Sequence, residues 1–259
     1  MFPATKIRRF LTKVWAWFWA TNTIINYPAV YLIELLGNRI RSDGVIISLD
    51  RTDIPTIKKL PLMLNYERTE KILARKYILK HLPVIELGGF VGGVSCYING
   101  FLDEKVDHIV VEANANIIST LQNNRNNNGC DFIIIHGIIA YSDAIKFNLA
   151  GMSSHAKSLS RSPTQVNTQS LNIITVDKLI KTYSLDIINL VCDIEGMEDS
   201  LIDLELDVLQ RHIAIFIVEI HPEIIGANET ADRLLQLKDT GFELLKRLDN
   251  VYAFRNTRL

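Results

Sequence analysis

Three glycines, Gly88, Gly89 and Gly92, interrupt the segment PVIELGGFVGG directly after an apolar run of strand length. Glycine in such a turn allows a ligand to approach bare backbone, because a Cβ would stand in its way and would strain the tight turn. Twenty residues beyond Gly92 lies Glu112, at the end of the next apolar run in HIVVEANAN. A carboxylate at the tip of a second strand is placed to accept hydrogen bonds from both hydroxyls of an adenosine ribose. Together, the glycine turn and the carboxylate predict a nucleoside-type cofactor.

The spacing Glu86-x-Gly88-Gly89-x-x-Gly92 is not the GxGxxG of dinucleotide folds. Glu86 stands two residues before the first glycine, where it would repel a pyrophosphate and attract an ammonium or a sulfonium. That favours S-adenosylmethionine over NAD. The expected cofactor contacts are Glu86, Gly88, Gly89, Phe90 and Gly92 on the first turn, and Glu112, Ala113 and Asn114 on the second. The stretch IIIHGIIAYSD would end a third strand and carry Gly137 to Ala140 past the adenine plane, which adds Ala140.

A second group of reactive side chains follows in Asp193-x-Glu195-Gly196-x-Glu198 and in VEIHPE, which holds Glu219 and His221. His221 is the expected general base, because imidazole titrates near neutral pH. Asp193 would contact the cofactor's ammonium or the acceptor, and Asp193 and Glu195 complete the expected catalytic set. The plainer alternative makes His221 a strand-end residue fixed by Pro222, and Glu195 and Glu198 carboxylates that favour the positive end of a helix. Asp193, Glu195, Glu219 and His221 would form an oxygen-rich cluster able to accept Mg²⁺ or Mn²⁺, but their spacing matches no ligand motif and no metal is expected. No GxSxG elbow, Walker loop, HExxH or paired CxxC is present, which removes most support for hydrolase and phosphotransferase chemistry.

These side chains need elements to hold them. Apolar, β-branched runs occur at Pro83–Leu87, Ile109–Glu112, Phe132–His136, Ile187–Asp193 and Ile213–Ile220, with helical spacing between them. Nearly continuous apolar runs indicate strands buried on both faces, and hence a mainly parallel sheet covered by helices: a doubly wound α/β domain. Phe242–Leu248 and Val251–Arg255, separated by Asp249-Asn250, predict a closing antiparallel hairpin. QNNRNNNG, residues 122–129, reads as the frayed end of a helix, too polar to pack and capped at Gly129.

The 259 residues carry 28 basic and 29 acidic side chains, which excludes a general nucleic-acid backbone binder. Three widely spaced cysteines, Cys96, Cys130 and Cys192, support neither a disulfide framework nor a cysteine zinc site and point to a reducing, cytoplasmic setting. Residues 1–43 stand apart from the expected domain at 44–259. Lys6, Arg8, Arg9 and Lys13 precede Trp15, Trp17 and Trp19, a pattern that suits a helix lying at a membrane surface. The alternative is a hydrophobic helix packed on the domain, or on a second copy to form a homodimer. Residues 151–172, rich in Ser, Thr and Gln, read as either a substrate-side loop or a surface excursion.

In the order VIELGGFVGG, VEANAN, HGIIAYSD, ITVDKLIKTYSLDIINLVCDIEGMEDSLI and IVEIHPE, the chain resembles the FkbM-type methyltransferases over roughly Leu62 to Leu248. The most specific piece is Asp193-x-Glu195-Gly196-x-Glu198. The resemblance implies a class I, Rossmann-like sheet of seven strands with one antiparallel, S-adenosylmethionine as cofactor, and methylation of a hydroxyl on a small-molecule, sugar or natural-product acceptor. Departures are Gly88-Gly89-Phe90-Val91-Gly92 in place of GANxG, Val111-Glu112-Ala113-Asn114-Ala115 in place of VEPNP, and Val191 where a Lys is common. A non-catalytic cofactor-binding module and a nicotinamide-dependent oxidoreductase are the competing readings.

Overall fold

The computed structural model describes residues 38–48, 67–105, 107–141 and 172–259. The tryptophan-rich N-terminal segment and nearly all of the Ser/Thr/Gln-rich stretch lie outside the described residues. Among those described, no helix is long and apolar enough to cross a membrane.

Nineteen elements follow one another in the described residues. They are β1 (Arg39–Ser42), β2 (Val45–Ser48), α1 (Arg68–Tyr77), β3 (Val84–Leu87), α2 (Gly93–Asn99), β4 (His108–Glu112), α3 (Ala115–Asn127), β5 (Ile133–His136), β6 (Ile138–Ile139), β7 (Ile173–Ile174), α4 (Val176–Tyr183), β8 (Ile188–Cys192), α5 (Glu198–Leu204), α6 (Leu206–His212), β9 (Ile213–Glu219), α7 (Pro222–Ile225), α8 (Ala227–Asp239), β10 (Phe242–Leu248) and β11 (Val251–Asn256). Seven strands form one sheet in the order β10-β11-β9-β8-β3-β4-β5. β11 pairs antiparallel with both neighbours, and the other pairings are parallel. The chain is thus a Rossmann-like α/β domain with one reversed strand, and the strand order changes direction between β3 and β8.

Alternating residues of each strand serve opposite faces. Ile85, Leu87, Ile109, Val111, Leu190 and Cys192 join Leu179 and Ile180 of α4, Leu201 of α5, Leu209 of α6 and Leu237 of α8. On the other face Val84, Val191, Ile215 and Ile217 meet Leu73 and Ala74 of α1 and Val94 and Ile98 of α2. Val110 there packs with Ile117 and Leu121 of α3. Burial on both sides explains why these strands read as unbroken apolar runs rather than as alternating ones.

The polar run at the end of α3 is packed, not frayed. Asn124 is fully buried: its Oδ1 accepts from the Ser48 amide at 2.7 Å, and its Nδ2 donates to the carbonyls of Ser48 (3.2 Å) and Val91 (2.8 Å). Asn128 likewise accepts from the Ile46 amide and donates to the Ile46 carbonyl. Asparagine suits this place because its amide offers both a donor and an acceptor to the open edge of β2. Gly129, at a φ of 60°, follows the cap in a left-handed turn whose amides reach back to Asn126 and Arg125. The boundary drawn at residues 43/44 falls in the turn of the β1–β2 hairpin, so the hairpin belongs as one unit to the structure packed on α3.

Candidate active site

The carboxyl ends of β3, β4, β8 and β9 open on one edge of the sheet, where the two groups of expected site residues meet. The joint is covalently simple and sterically tight. Gly88 has a φ of 94°, and a Cβ on it would lie 1.8 Å from the carbonyl oxygen of Asp193. The Asp193 amide in turn donates to the Leu87 carbonyl at 2.9 Å. Only glycine allows the β3 turn to close against β8 in this way. A Cβ on Gly89 would meet Val110 Cγ1 at 2.4 Å, and one on Gly92 would meet Leu121 Cδ1 at 2.7 Å. The glycines thus answer to contacts within the protein, and the positive φ of Gly88 and Gly92 fits the tight turn expected there.

Glu112 occupies the tip of β4 and is 8% exposed. Its Oε2 accepts from the Phe90 amide at 2.8 Å and its Oε1 from the Asn114 amide at 2.6 Å. The carboxylate thereby ties the glycine turn, whose Phe90 sits at a left-handed φ of 42°, to the start of α3. Burial pushes its pKa up against the pull of the Asn114 and Phe90 amides. A carboxylate offers about four lone-pair sites, so two remain for further donors. Asn114 caps α3 by accepting from the Asn116 amide. Ala113 packs with Ile138, Ala140, Met197 and Ile194, which makes an apolar wall from three strand-end loops beside Glu112.

Glu86 does not join this group. It is 2% exposed on the face covered by α2, where Oε1 accepts from Ser95 Oγ at 2.7 Å and Oε2 lies 3.0 Å from His108 Nε2. The expectation that it faces the cofactor fails because its side chain leaves the strand on the face that α2 covers, with Val84, and Ser95 and His108 occupy both of its oxygens there.

At the β8–β9 end the acidic residues converge on one imidazole. Glu198, fully buried at the start of α5, accepts from the amides of Ile194 (2.9 Å) and Gly196 (2.8 Å) and so fixes the turn that carries Asp193 and Glu195. Its Oε1 also lies 3.2 Å from His221 Nδ1. His221 Nε2 stands 3.6 Å from Asp193 Oδ1 and 3.7 Å from Glu195 Oε2. Burial alone would depress the imidazole, but the Glu198 contact and the charges of Glu198, Asp193 and Glu195 outweigh it and push its pKa up to about 10. These surroundings favour the protonated imidazole over the neutral form that a general base requires.

Burial also raises Asp193 well above the usual carboxylate range, with Glu198, Glu195 and Glu67 acting in the same direction and His221 opposing. Glu219 is pushed up to about 9 by burial, by its hydrogen bond with Glu70 and by the charge of Asp193. Sequence reasoning missed the pivotal role of Glu198 and the presence of Glu67 and Glu70, which α1 brings in from far along the chain. The capping-type spacing of Glu198 is visible in the sequence, but its imidazole partner is not.

No family model and no curated protein matches the chain. Solved structures with a similar fold include a protein of the NADB-Rossmann superfamily from Streptococcus agalactiae, at 10% identity over 73% of this chain and 68% of that one, with a TM-score of 0.42. TYW2 of M. jannaschii, solved in complex with AdoMet, is 12% identical over 83% of this chain and 82% of its own, with a TM-score of 0.43. A ribosomal protein L11 methylase from Lactobacillus delbrueckii subsp. bulgaricus is 13% identical over 73% and 78%, with a TM-score of 0.41. At these identities the likeness concerns the fold alone.

Proposed function

We propose that the protein is an S-adenosylmethionine-dependent methyltransferase that methylates a hydroxyl on a sugar, glycolipid or natural-product acceptor. The observation that carries this reading is the junction of Gly88 with Asp193 at the point where the strand order reverses, flanked by Glu112 on one side and an acidic edge on the other. Ligands of open α/β sheets bind in the crevice at that point.

The chain's own residues fit such a donor. The free lone pairs of Glu112 serve the ribose hydroxyls, the wall of Ala113, Ile138, Ala140 and Met197 accepts the adenine, and the carboxylates around Asp193 favour the donor's positive charge. When bound, the donor supplies an activated methyl group. What remains for the protein is alignment, worth up to about 7–11 kcal/mol, against roughly 10²–10⁴-fold from a positioned base. His221, as imidazolium fixed by Glu198, orients Asp193 and Glu195 rather than removing a proton itself. Asp193 contacts the donor's ammonium or the acceptor hydroxyl. Lys6, Arg8, Arg9 and Lys13 ahead of Trp15, Trp17 and Trp19 support an acceptor met at a membrane surface.

Calorimetry against S-adenosylmethionine, S-adenosylhomocysteine and NAD tests the assignment: binding of the two sulfur compounds is expected, and binding of NAD with no response to them overturns it. Transfer of a labelled methyl group into a native extract identifies the acceptor by mass spectrometry. A second reading, a cofactor-binding module without turnover, is favoured by the protonated state of His221, and the absence of label transfer despite donor binding would select it. In an active enzyme, His221→Ala lowers kcat more than it weakens donor affinity.

A further inference from the structure

The edge formed by β8 and β9 gathers more carboxyl groups than its neighbours supply basic partners for. Among the described residues no lysine or arginine pairs with Asp193, Glu195, Glu198 or Glu219, and the cationic partner they share is His221. One ligand atom each from Asp193, Glu219 and His221 lies within 4.8 Å of the other two. Two atoms bonded at ~2.1 Å on opposite sides of a small divalent ion are ~4.2 Å apart. Modest rotations of the partly exposed Asp193 and Glu219 side chains therefore close the three on one ion.

Two further features separate this group from an ordinary acidic patch. Asp193 Oδ1 is buried and has no hydrogen-bond partner, an arrangement that is unfavourable unless something binds there. The His221 side chain is only 9% exposed; its Nδ1 is held by Glu198, while Nε2 faces Asp193 and Glu195 from beyond hydrogen-bond distance. A buried ring fixed at one nitrogen by a carboxylate, with the other nitrogen turned toward oxygens, is how a second layer of residues orients a metal-ligating histidine.

We propose that Asp193, Glu219 and His221 bind one divalent cation of the Mg²⁺ or Mn²⁺ type, with Glu198 orienting His221 and Glu195 at the rim. The cation takes the place of the Nε2 proton of His221 and of the carboxyl protons of Asp193 and Glu219, which pass to solvent. Two carboxylates favour these oxygen-seeking ions over softer ones, and the single imidazole tips the choice toward Mn²⁺. The proposal rests on these side chains and is independent of the methyl-transfer reading. If that reading holds, a cation here assigns Asp193 to the acceptor side of the site.

Mn²⁺ titration of the full-length protein without cofactor, followed by the spin-resonance signal of the free ion, is expected to give one saturable site per chain. Asp193→Asn and Glu219→Gln each weaken it by at least about tenfold, whereas Glu243→Gln, on the exposed edge strand β10, leaves it unchanged. Spin-echo spectra of the bound ion show imidazole nitrogen coupling, which His221→Ala abolishes. No saturable binding at millimolar Mn²⁺, a bound ion without nitrogen coupling, or full binding in both carboxylate variants overturns the proposal. The first two readouts use the wild-type protein and stand even where a variant misfolds. Mn²⁺ binding without any response to S-adenosylhomocysteine would leave the cation site intact and sink the donor reading alone.

Discussion

The two ends of the candidate site treat their carboxylates in opposite ways. At the β3–β4 end, both oxygens of Glu112 take backbone amides, and both oxygens of Glu86 have side-chain partners. At the β8–β9 end, Asp193, Glu195 and Glu198 share one imidazole, and Asp193 Oδ1 has no hydrogen bond at all. At the first end every carboxylate oxygen has a partner within the protein, and the bonds of Glu112 hold the shape of the turn. The second keeps unused interaction capacity at a buried position, which is where a positively charged ligand gains most because little water competes.

The largest expected effect breaks the joint between the ends. Gly88→Ala drives a methyl into the Asp193 carbonyl at a φ of 94°. Overpacking and backbone strain at about 1–3 kcal/mol each put the loss at roughly 2–6 kcal/mol in urea unfolding. A loss below about 1 kcal/mol would mean that the two ends are not pressed together. Next comes Glu198→Gln, which removes a buried charge from His221 and weakens the grip on the 194–196 turn. Loss of one partner of a buried ion pair costs about 3–5 kcal/mol, and the imidazole titration followed by NMR is expected to move down from about 10.

Glu112→Ala strands two amides near the surface, at about 1 kcal/mol or more each, and should weaken S-adenosylhomocysteine binding by roughly tenfold or more in calorimetry. Unchanged affinity would confine Glu112 to a structural role. The finest contrast is with pH. His221 is raised from 6.5 to about 10 and Glu219 from 4.5 to about 9, so the folded state binds more protons than the unfolded one. Their contribution is full below the unfolded values and falls as pH rises, between 4.5 and 9 for Glu219 and between 6.5 and 10 for His221. Chemical denaturation in the presence of a chelator is expected to show stability declining across that window, with a shallower slope in Glu219→Gln and an unaltered one in Asn114→Ala.

Much of the architecture was legible because β3, β4, β8 and β9 are buried on both faces, whereas β5, an equally apolar run, is an edge strand left partly exposed. Ile188–Cys192 and Ile213–Glu219 fall inside the runs picked out by apolar β-branched content, and the Asp249-Asn250 turn joins β10 to β11. The run QNNRNNNG was misjudged because composition reports polarity but not the presence of an unpaired strand edge within reach of Asn124. Glu86 was misassigned because closeness in sequence to the glycine turn does not reveal that Ser95 of α2 and His108 of β4 close over its side chain.

From the sequence alone came the order of strands and helices, the reversed closing hairpin, and the residue types at the strand tips, since each is set by local pattern and by the period of burial. Tertiary structure alone decided that Gly88 yields to a neighbouring carbonyl, that Glu198 rather than solvent faces His221, and that Glu70 reaches Glu219. Those pairings join residues up to 149 positions apart. Proton affinity and cation affinity depend on distances of a few ångströms between such partners, which no linear pattern encodes.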